Sequence, residues 1–289
     1  MRSHRPALRG FTLVELVIVI VLVGVLAGSV VMYLRPAIMN YLAVVRRANV
    51  SSLTDGAART ITTEIRTAVP NSLRLSSGQC DECQCLEFVP TSDGGRFRTA
   101  PDTDTAGSAW MDLNQPETAF DVLTPFTTLP AVNDFVVIGN QNPDDVYTRR
   151  NMATITGVTL PPSPELGTRR ISFAATQFPV GYEGGRFVIV PQRKQAVTYR
   201  CENVGKDDVS GTGTGRLLRY SAYGFNATAS CPPAGVGAVI ATKVSRCLFD
   251  YNPNEGATQQ SGYVQVRLGI SDNGESADLV FGAHVDNAP

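Results

Sequence analysis

The chain has 289 residues, with 25 basic and 26 acidic side chains and a net charge of −1, which argues against a general nucleic-acid or polyanion binder. A hydrophobic content of 43% with only 18% charged residues argues against a disordered chain, and 26 Gly with 18 Pro suit a turn-rich, strand-rich body. His4 and His284 are the only histidines, so a two-histidine zinc site is excluded once the N-terminus is removed, and a Ser–His–Asp relay would have to run through His284 alone. No catalytic residue, no metal and no cofactor is expected, and the chain is read as a non-enzyme.

Residues 1–10 carry Arg2, Arg5 and Arg9 and no acid. Residues 11–34 are almost wholly apolar and, at about 1.5 Å per residue, make about 36 Å of helix, enough to span a bilayer. A Sec signal peptide would need a small-x-small cleavage site, but Leu26-Ala27-Gly28 and Ala27-Gly28-Ser29 are poor ones, and the apolar run continues through Val30, Val31, Met32 and Leu34. Glu15 sits inside this run, where an ionised carboxylate costs on the order of 2.5–3.5 kcal/mol. No Lys or Arg lies between Phe11 and Leu34, so the nearest positive charge would be a new α-amino group made by cutting before Phe11. Gly24 and Gly28 form a GxxxG, a candidate for close helix packing.

Gly10-Phe11-Thr12-Leu13-Val14-Glu15, behind a short basic leader and ahead of an unbroken apolar run, resembles the processing site of type IV prepilins and type II secretion pseudopilins. The resemblance implies cleavage by a prepilin peptidase between Gly10 and Phe11 and methylation of the new Phe11 terminus. The apolar helix then stays on the mature protein and packs inside a filament. Glu15 becomes the assembly carboxylate, neutralising the terminal amine of a neighbouring subunit; a link to its own amine, four residues away on one helical face, is the alternative. Loss of residues 1–10 leaves 22 basic against 26 acidic residues, a balance of −4. Arg35, Arg46 and Arg47 follow the apolar run, so orientation rests on the leader and the cysteines rather than on charge asymmetry.

Pro36 predicts a kink at the membrane surface. Ile38, Tyr41, Leu42, Val45, Ala48, Ile61, Ile65 and Val69 recur at helical spacing, with Arg46, Arg47, Arg59, Glu64 and Arg66 between them, which predicts an amphipathic spine helix. Asp55-Gly56 is expected to weaken it and Pro70 to end it. From about residue 71 the pattern is β, with strands predicted at 135–138, 171–173, 186–190, 196–201, 216–220, 244–251, 263–270 and 278–285. Val264, Val266, Leu268 and Ile270 share one face, as do Leu279, Phe281, Ala283 and Val285, and Asp272-Asn273-Gly274-Glu275 between them is a hairpin turn. Gly211-Thr212-Gly213-Thr214-Gly215 lacks the Lys and the helix of a phosphate loop and is expected to be a flexible connection. Asp102, Asp104 and Gly107 suggest a calcium loop, but Ala106 and Leu113 fall where two ligands belong.

Cys80, Cys83, Cys85, Cys201, Cys231 and Cys247 all lie after the apolar run. Their even number suggests disulfides in an oxidising compartment; a metal site and a CxxC redox motif are the alternatives. With three cysteines in each half, complete oxidation within one chain requires an odd number of bridges between the halves.

Residues 66–72 (RTAVPNS), 197–201 (VTYRC), 244–251 and 284–289 (HVDNAP) resemble segments of large minor pilins of mannose-sensitive haemagglutinin-type pili. The expected fold is α+β and pilin-like: a leader at 1–10, a transmembrane helix at 11–35, a spine helix at 36–69, and an antiparallel β-rich head at 70–289. The expected function is a minor pilin-like structural and assembly subunit of a type IV pilus, in the bacterial inner membrane with a periplasmic head and then at the cell surface. Alternatives are a type II secretion pseudopilin and a filament-tip adhesin or binding module. Expected partners are the prepilin peptidase, other pilin subunits, the inner-membrane assembly machinery and membrane lipid through residues 11–34, with no nucleic acid. A head of this length has a radius of gyration of about 17 Å, so crowding predicts a scarce subunit near a filament end.

Overall fold

The structure, a computed structural model, describes residues 11–77, 84–181, 184–253 and 261–287. It divides into two compact units, residues 1–49 and 50–289. Helix α1, Leu13–Arg66, begins in the first and ends in the second. Within it Val50, Thr54, Ala57, Ala58, Ile61 and Ile65 are buried, a three-and-four spacing that lines one face. The helix includes Pro36 and is continuous through Asp55-Gly56. The Asp55–Arg59 pair at 2.7 Å and the Thr60 hydroxyl on the Gly56 carbonyl at 2.9 Å bridge that weak point, while Thr54 and Ala57 pack on either side of it. The α-helical ladder stops at Arg66. Thr67 and Ala68 donate to the carbonyls three residues back, and Val69 N–H turns away to the Val89 carbonyl at 2.8 Å.

The described chain then forms β1 (Arg74–Ser77), β2 (Gln84–Phe88), β3 (Asp93–Arg96), β4 (Glu117–Val122), β5 (Phe135–Val137), β6 (Met152–Thr159), β7 (Arg169–Thr176), β8 (Arg186–Val190), β9 (Val197–Glu202), β10 (Gly215–Ser221), β11 (Ala238–Asn252), β12 (Ser261–Asp272) and β13 (Glu275–Asp286). Every pairing is antiparallel, in two sheets of order β1-β2-β9-β10-β11-β12-β13 and β3-β8-β5-β6-β7-β4. The fold is α+β, as expected.

The seven-stranded sheet takes the buried face of α1. Val50, Ala57, Ile61 and Ile65 form one core with Leu86, Phe88, Tyr199, Leu217, Val264, Val266, Leu268 and Ile270. The predicted face of β12 is fully inside; on the edge strand β13 Ala283 and Val285 are buried, while Leu279 and Phe281 are half-buried. Asn273-Gly274 makes the expected two-residue turn, with φ of 47° and 83°, and joins strands paired from Ser261↔Asp286 to Asp272↔Glu275 without a register shift.

The six-stranded sheet is an insertion between two neighbours. β2 and β9 pair directly, with Phe88 opposite Val197, and everything from β3 to β8 is threaded between them. Its outer strands meet: Phe97 bridges Val122, Leu123 N–H reaches the Arg96 carbonyl at 2.8 Å, and Arg98 N–H reaches the Asp121 carbonyl at 3.0 Å. Both edges are thereby satisfied, and the sheet closes on itself. Phe120 fills the interior, with ring centroids 5.1–5.9 Å from those of Phe187, Phe97 and Phe173.

Buried charges fix how these elements meet. Glu64 on α1 receives Arg219 of β10 through two bonds of 2.9 Å and the Tyr199 hydroxyl of β9 at 2.8 Å. Glu87 of β2 receives Arg74 at 2.7 Å and the Tyr223 hydroxyl at 2.8 Å, and the Arg74 guanidinium lies 3.6 Å over the Tyr147 ring. Asp121 is wholly buried and is held by Arg170 and the Ala109 N–H. The segment 211–215 is docked rather than loose, contrary to the expectation of a flexible connection. Gly213 N–H donates to the Ser271 carbonyl at 2.9 Å, and a Cβ at Gly213 would collide with the Lys243 carbonyl.

Two outcomes follow from these junctions. Glu64→Ala leaves Arg219 half-buried without its carboxylate and is expected to lower stability by about 2–3 kcal/mol in urea titrations. Burial, followed by the nearby Glu87 and Glu64 charges, pushes the Tyr147, Tyr199 and Tyr223 hydroxyls well above the usual phenol range, and burial alone raises Tyr251. These phenols ionise first in the unfolded chain, near pH 10. Their contribution is therefore complete below about pH 10 and is lost as pH rises further. Urea midpoints should fall steeply between about pH 9.5 and 11.5, and less steeply in Tyr199→Phe.

Candidate functional site in the N-terminal helix

The first half of α1 is long and apolar enough to cross a membrane. Residues 11–42 are all exposed, so this single chain leaves a surface of Leu, Val and Ile uncovered that water alone would not tolerate. Its start is capped locally. The Thr12 hydroxyl accepts the Glu15 N–H at 3.3 Å, and the Thr12 carbonyl accepts the Leu16 N–H at 3.2 Å. Thr12-x-x-Glu15 is a capping-box spacing at the head of an apolar run, a second signal that the sequence carries beside the leader pattern. It places the Glu15 carboxylate in the first turn, where the helix dipole favours negative charge.

Phe11 is exposed just ahead of the helix, four residues from Glu15. Among the described residues Glu15 makes no ion pair, which leaves the carboxylate available to an amine from outside this set. Gly10 lies outside the described residues. Gly24 and Gly28 stand one turn apart with nothing within 4 Å of a Cβ added at either, so the described residues supply no packing partner for them. Ser29, beside them, turns its hydroxyl inward to the Val25 carbonyl at 2.8 Å, which satisfies a polar group in an apolar setting.

Of the cysteines, Cys85 of β2 pairs with Cys231 in the β10–β11 connection, and Cys201 of β9 pairs with Cys247 of β11. The first joins the two halves of the sequence; Cys80 and Cys83 lie outside the described residues. Asp102 accepts the Asp104 and Thr105 N–H groups and meets Arg98 at 3.0 Å, so its carboxylate is spent on a turn. Those two N–H bonds, with Arg98 adding a smaller effect, hold it below the usual carboxylate range. Among the described residues no group of three His, Cys, Asp or Glu is placed to hold a metal ion.

The model of the prokaryotic N-terminal methylation motif matches residues 6–31. That motif supports a place in the type IV prepilin and pseudopilin family. The match covers the end of the leader with Arg9, then Gly10, Phe11, Glu15 and both helix glycines, and it supports a type IV pilin-like or pseudopilin subunit whose apolar N-terminal helix fits membrane anchoring. No match is found among curated proteins or among solved structures.

The cap at Thr12 has a measurable role. Thr12→Ala removes the acceptor of the Glu15 N–H and should fray the first turn by about 1 kcal/mol. Amide exchange at residues 14–15, measured on the chain in nanodiscs, is expected to rise about fivefold, with residues 20–30 unchanged.

Proposed function

We propose that the chain is a minor pilin-like structural and assembly subunit of a type IV filament. A prepilin peptidase cuts it between Gly10 and Phe11, Phe11 is N-methylated, and the helix enters the filament from the bacterial inner membrane. The observation that carries this reading is an exposed apolar helix whose only charge before Arg35 is Glu15, in the first turn next to the site of the new terminus. In lipid that carboxylate is expensive; opposite a neighbour's amine in low dielectric it becomes a strong contact. Lateral neighbours then cover the surface that the lone chain exposes, with Gly24 and Gly28 allowing close approach on one side.

The disulfides support a head in an oxidising space, the periplasm and then the cell surface. The described parts of the segments that resemble mannose-sensitive haemagglutinin-type minor pilins lie at the exit of α1, on β9 and β11, and at the end of β13, all in the scaffold and none in the inserted barrel. A head enlarged by a whole closed sheet supports a scarce subunit near a filament end, where fewer neighbours compete for space.

Mass spectrometry of the mature N-terminal peptide should find N-methyl-Phe11; an intact leader or a cut beyond Gly28 would overturn the reading. Glu15→Ala should leave processing and membrane insertion intact and reduce the chain in sheared filaments at least about tenfold, the order expected for losing a desolvated charge pair. Normal incorporation of that variant would remove the role given to Glu15.

A further inference from the structure

A cleft of about 290 Å³ lies between the outer face of the inserted barrel and the end of the scaffold. On the barrel side, Phe187 points inward, so alternation along β3 and β8 turns Gly94, Arg96, Arg186 and Val188 outward. Val137 of β5 continues this face, and Val69 and Pro70, just past α1, form the opposite wall.

The charge arrangement of this cleft is unusual for the molecule. Arg96 and Arg186 are direct cross-strand partners on the same face, and both are exposed. Neither side chain makes a hydrogen bond or ion pair among the described residues. Six other head arginines, Arg74, Arg98, Arg170, Arg200, Arg216 and Arg219, meet a carboxylate, and among the described strand pairings no other two cations stand directly opposite each other. Like charges directly opposite one another on a sheet are destabilising, and an anion between them turns that repulsion into attraction. Asp93, at the start of β3, is turned away to the Thr127 and Thr128 N–H groups. Asn140 in the wall is consumed by Pro70, Asn71 and Asn151. Asp286 lines the far side and has an interaction of its own, so it keeps a second negative charge out of that end.

The floor between the arginines and the wall is Val188, Val137 and the bare backbone of Gly94. A Cβ at Gly94 would stand 2.9 Å from the Phe187 carbonyl and 3.3 Å from the Val188 side chain, so the glycine keeps this floor open. We propose that the cleft binds an organic anion with one negative group and a compact apolar body, the class of aryl and branched aliphatic carboxylates. The carboxylate sits between Arg96 and Arg186, and the body lies on the half-buried Val188, Gly94 and Pro70. Planar guanidinium groups suit a carboxylate, and a few aliphatic side chains suit one ring-sized body.

The test uses the full chain in nanodiscs, with 4-tert-butylbenzoate as probe and the neutral 4-tert-butylbenzamide as control, followed by saturation-transfer NMR and calorimetry. The benzoate should bind at millimolar or tighter affinity and the benzamide about tenfold more weakly, because it lacks the charge-assisted bonds. Arg96→Gln and Arg186→Gln should each weaken the benzoate about tenfold and leave the benzamide unchanged. Because each removes one side of a repulsive pair, neither should lower the melting temperature of the free chain. Equal binding of the two probes, undiminished benzoate binding in both variants, or no binding at 10 mM in any form overturns the proposal. These results leave the pilin reading untouched, since they do not involve the N-terminal helix.

Discussion

The seam between residues 50–65 of α1 and the seven-stranded sheet is the contact on which the rest of the head depends. One helical face, set by Val50, Ala57, Ile61 and Ile65, meets a sheet face set by β2, β9, β10, β11 and β12. The same helix has no buried residue before Val50. Its apolar residues are thus divided between two solvents, the protein's own interior for one stretch and lipid or neighbouring helices for the other. The helix can be continuous because both environments reward the same backbone, with every peptide group bonded internally.

Charge supplies what hydrophobic burial leaves open. Burial is non-directional and would let α1 slide along or rotate on the sheet. Glu64 removes that freedom, because the paired bonds from Arg219 and the third from Tyr199 have one geometry. Glu87 and Asp121 do the same where the strands leave the sheet and where the barrel closes. Such pairs add less to stability than to the uniqueness of the packing, since desolvation offsets much of their attraction.

The legible parts of this chain were those with one dominant period. The apolar run, the spine residues and the strands from β8 to β13 follow the 3.6 or 2 repeat closely enough to be placed from sequence. The barrel was legible by half: β5, β7 and β8 fall on predicted strands, whereas β3, β4 and β6 do not. β3 is Asp93-Gly94-Gly95-Arg96, which has no apolar alternation at all; its inward position is Gly95, and Phe187 from the adjacent strand fills the space. β6 shifts register between Ile155 and Gly157, which breaks its pattern midway. The segment 211–215 looked mobile because of its glycines, yet Gly213 is there because the Lys243 carbonyl leaves no room for a side chain. Of the assembly segment, Phe11, Glu15 and the two helix glycines stood out in the sequence. Thr12 did not, because its capping signal overlaps the leader pattern. Cysteine parity implied at least one bridge between the halves, but pairing depends on which strands are neighbours, which composition does not encode.

The insertion of the barrel between β2 and β9 has a consequence for how such subunits can diversify. Phe88 and Val197 are register partners, so the chain leaves the sheet and returns to it at one point. A tight turn there would satisfy the same strand order, the same helix seam and the same hydrogen-bond ladder. The barrel's closed edges and the aromatic core around Phe120 are its own, whereas Val137, Met152 and Val190 share a second core with Val69, Val89 and Ala196 of the scaffold. Variation inside the barrel can thus proceed without disturbing the seam between α1 and the seven-stranded sheet, while variation at the shared core is felt by both.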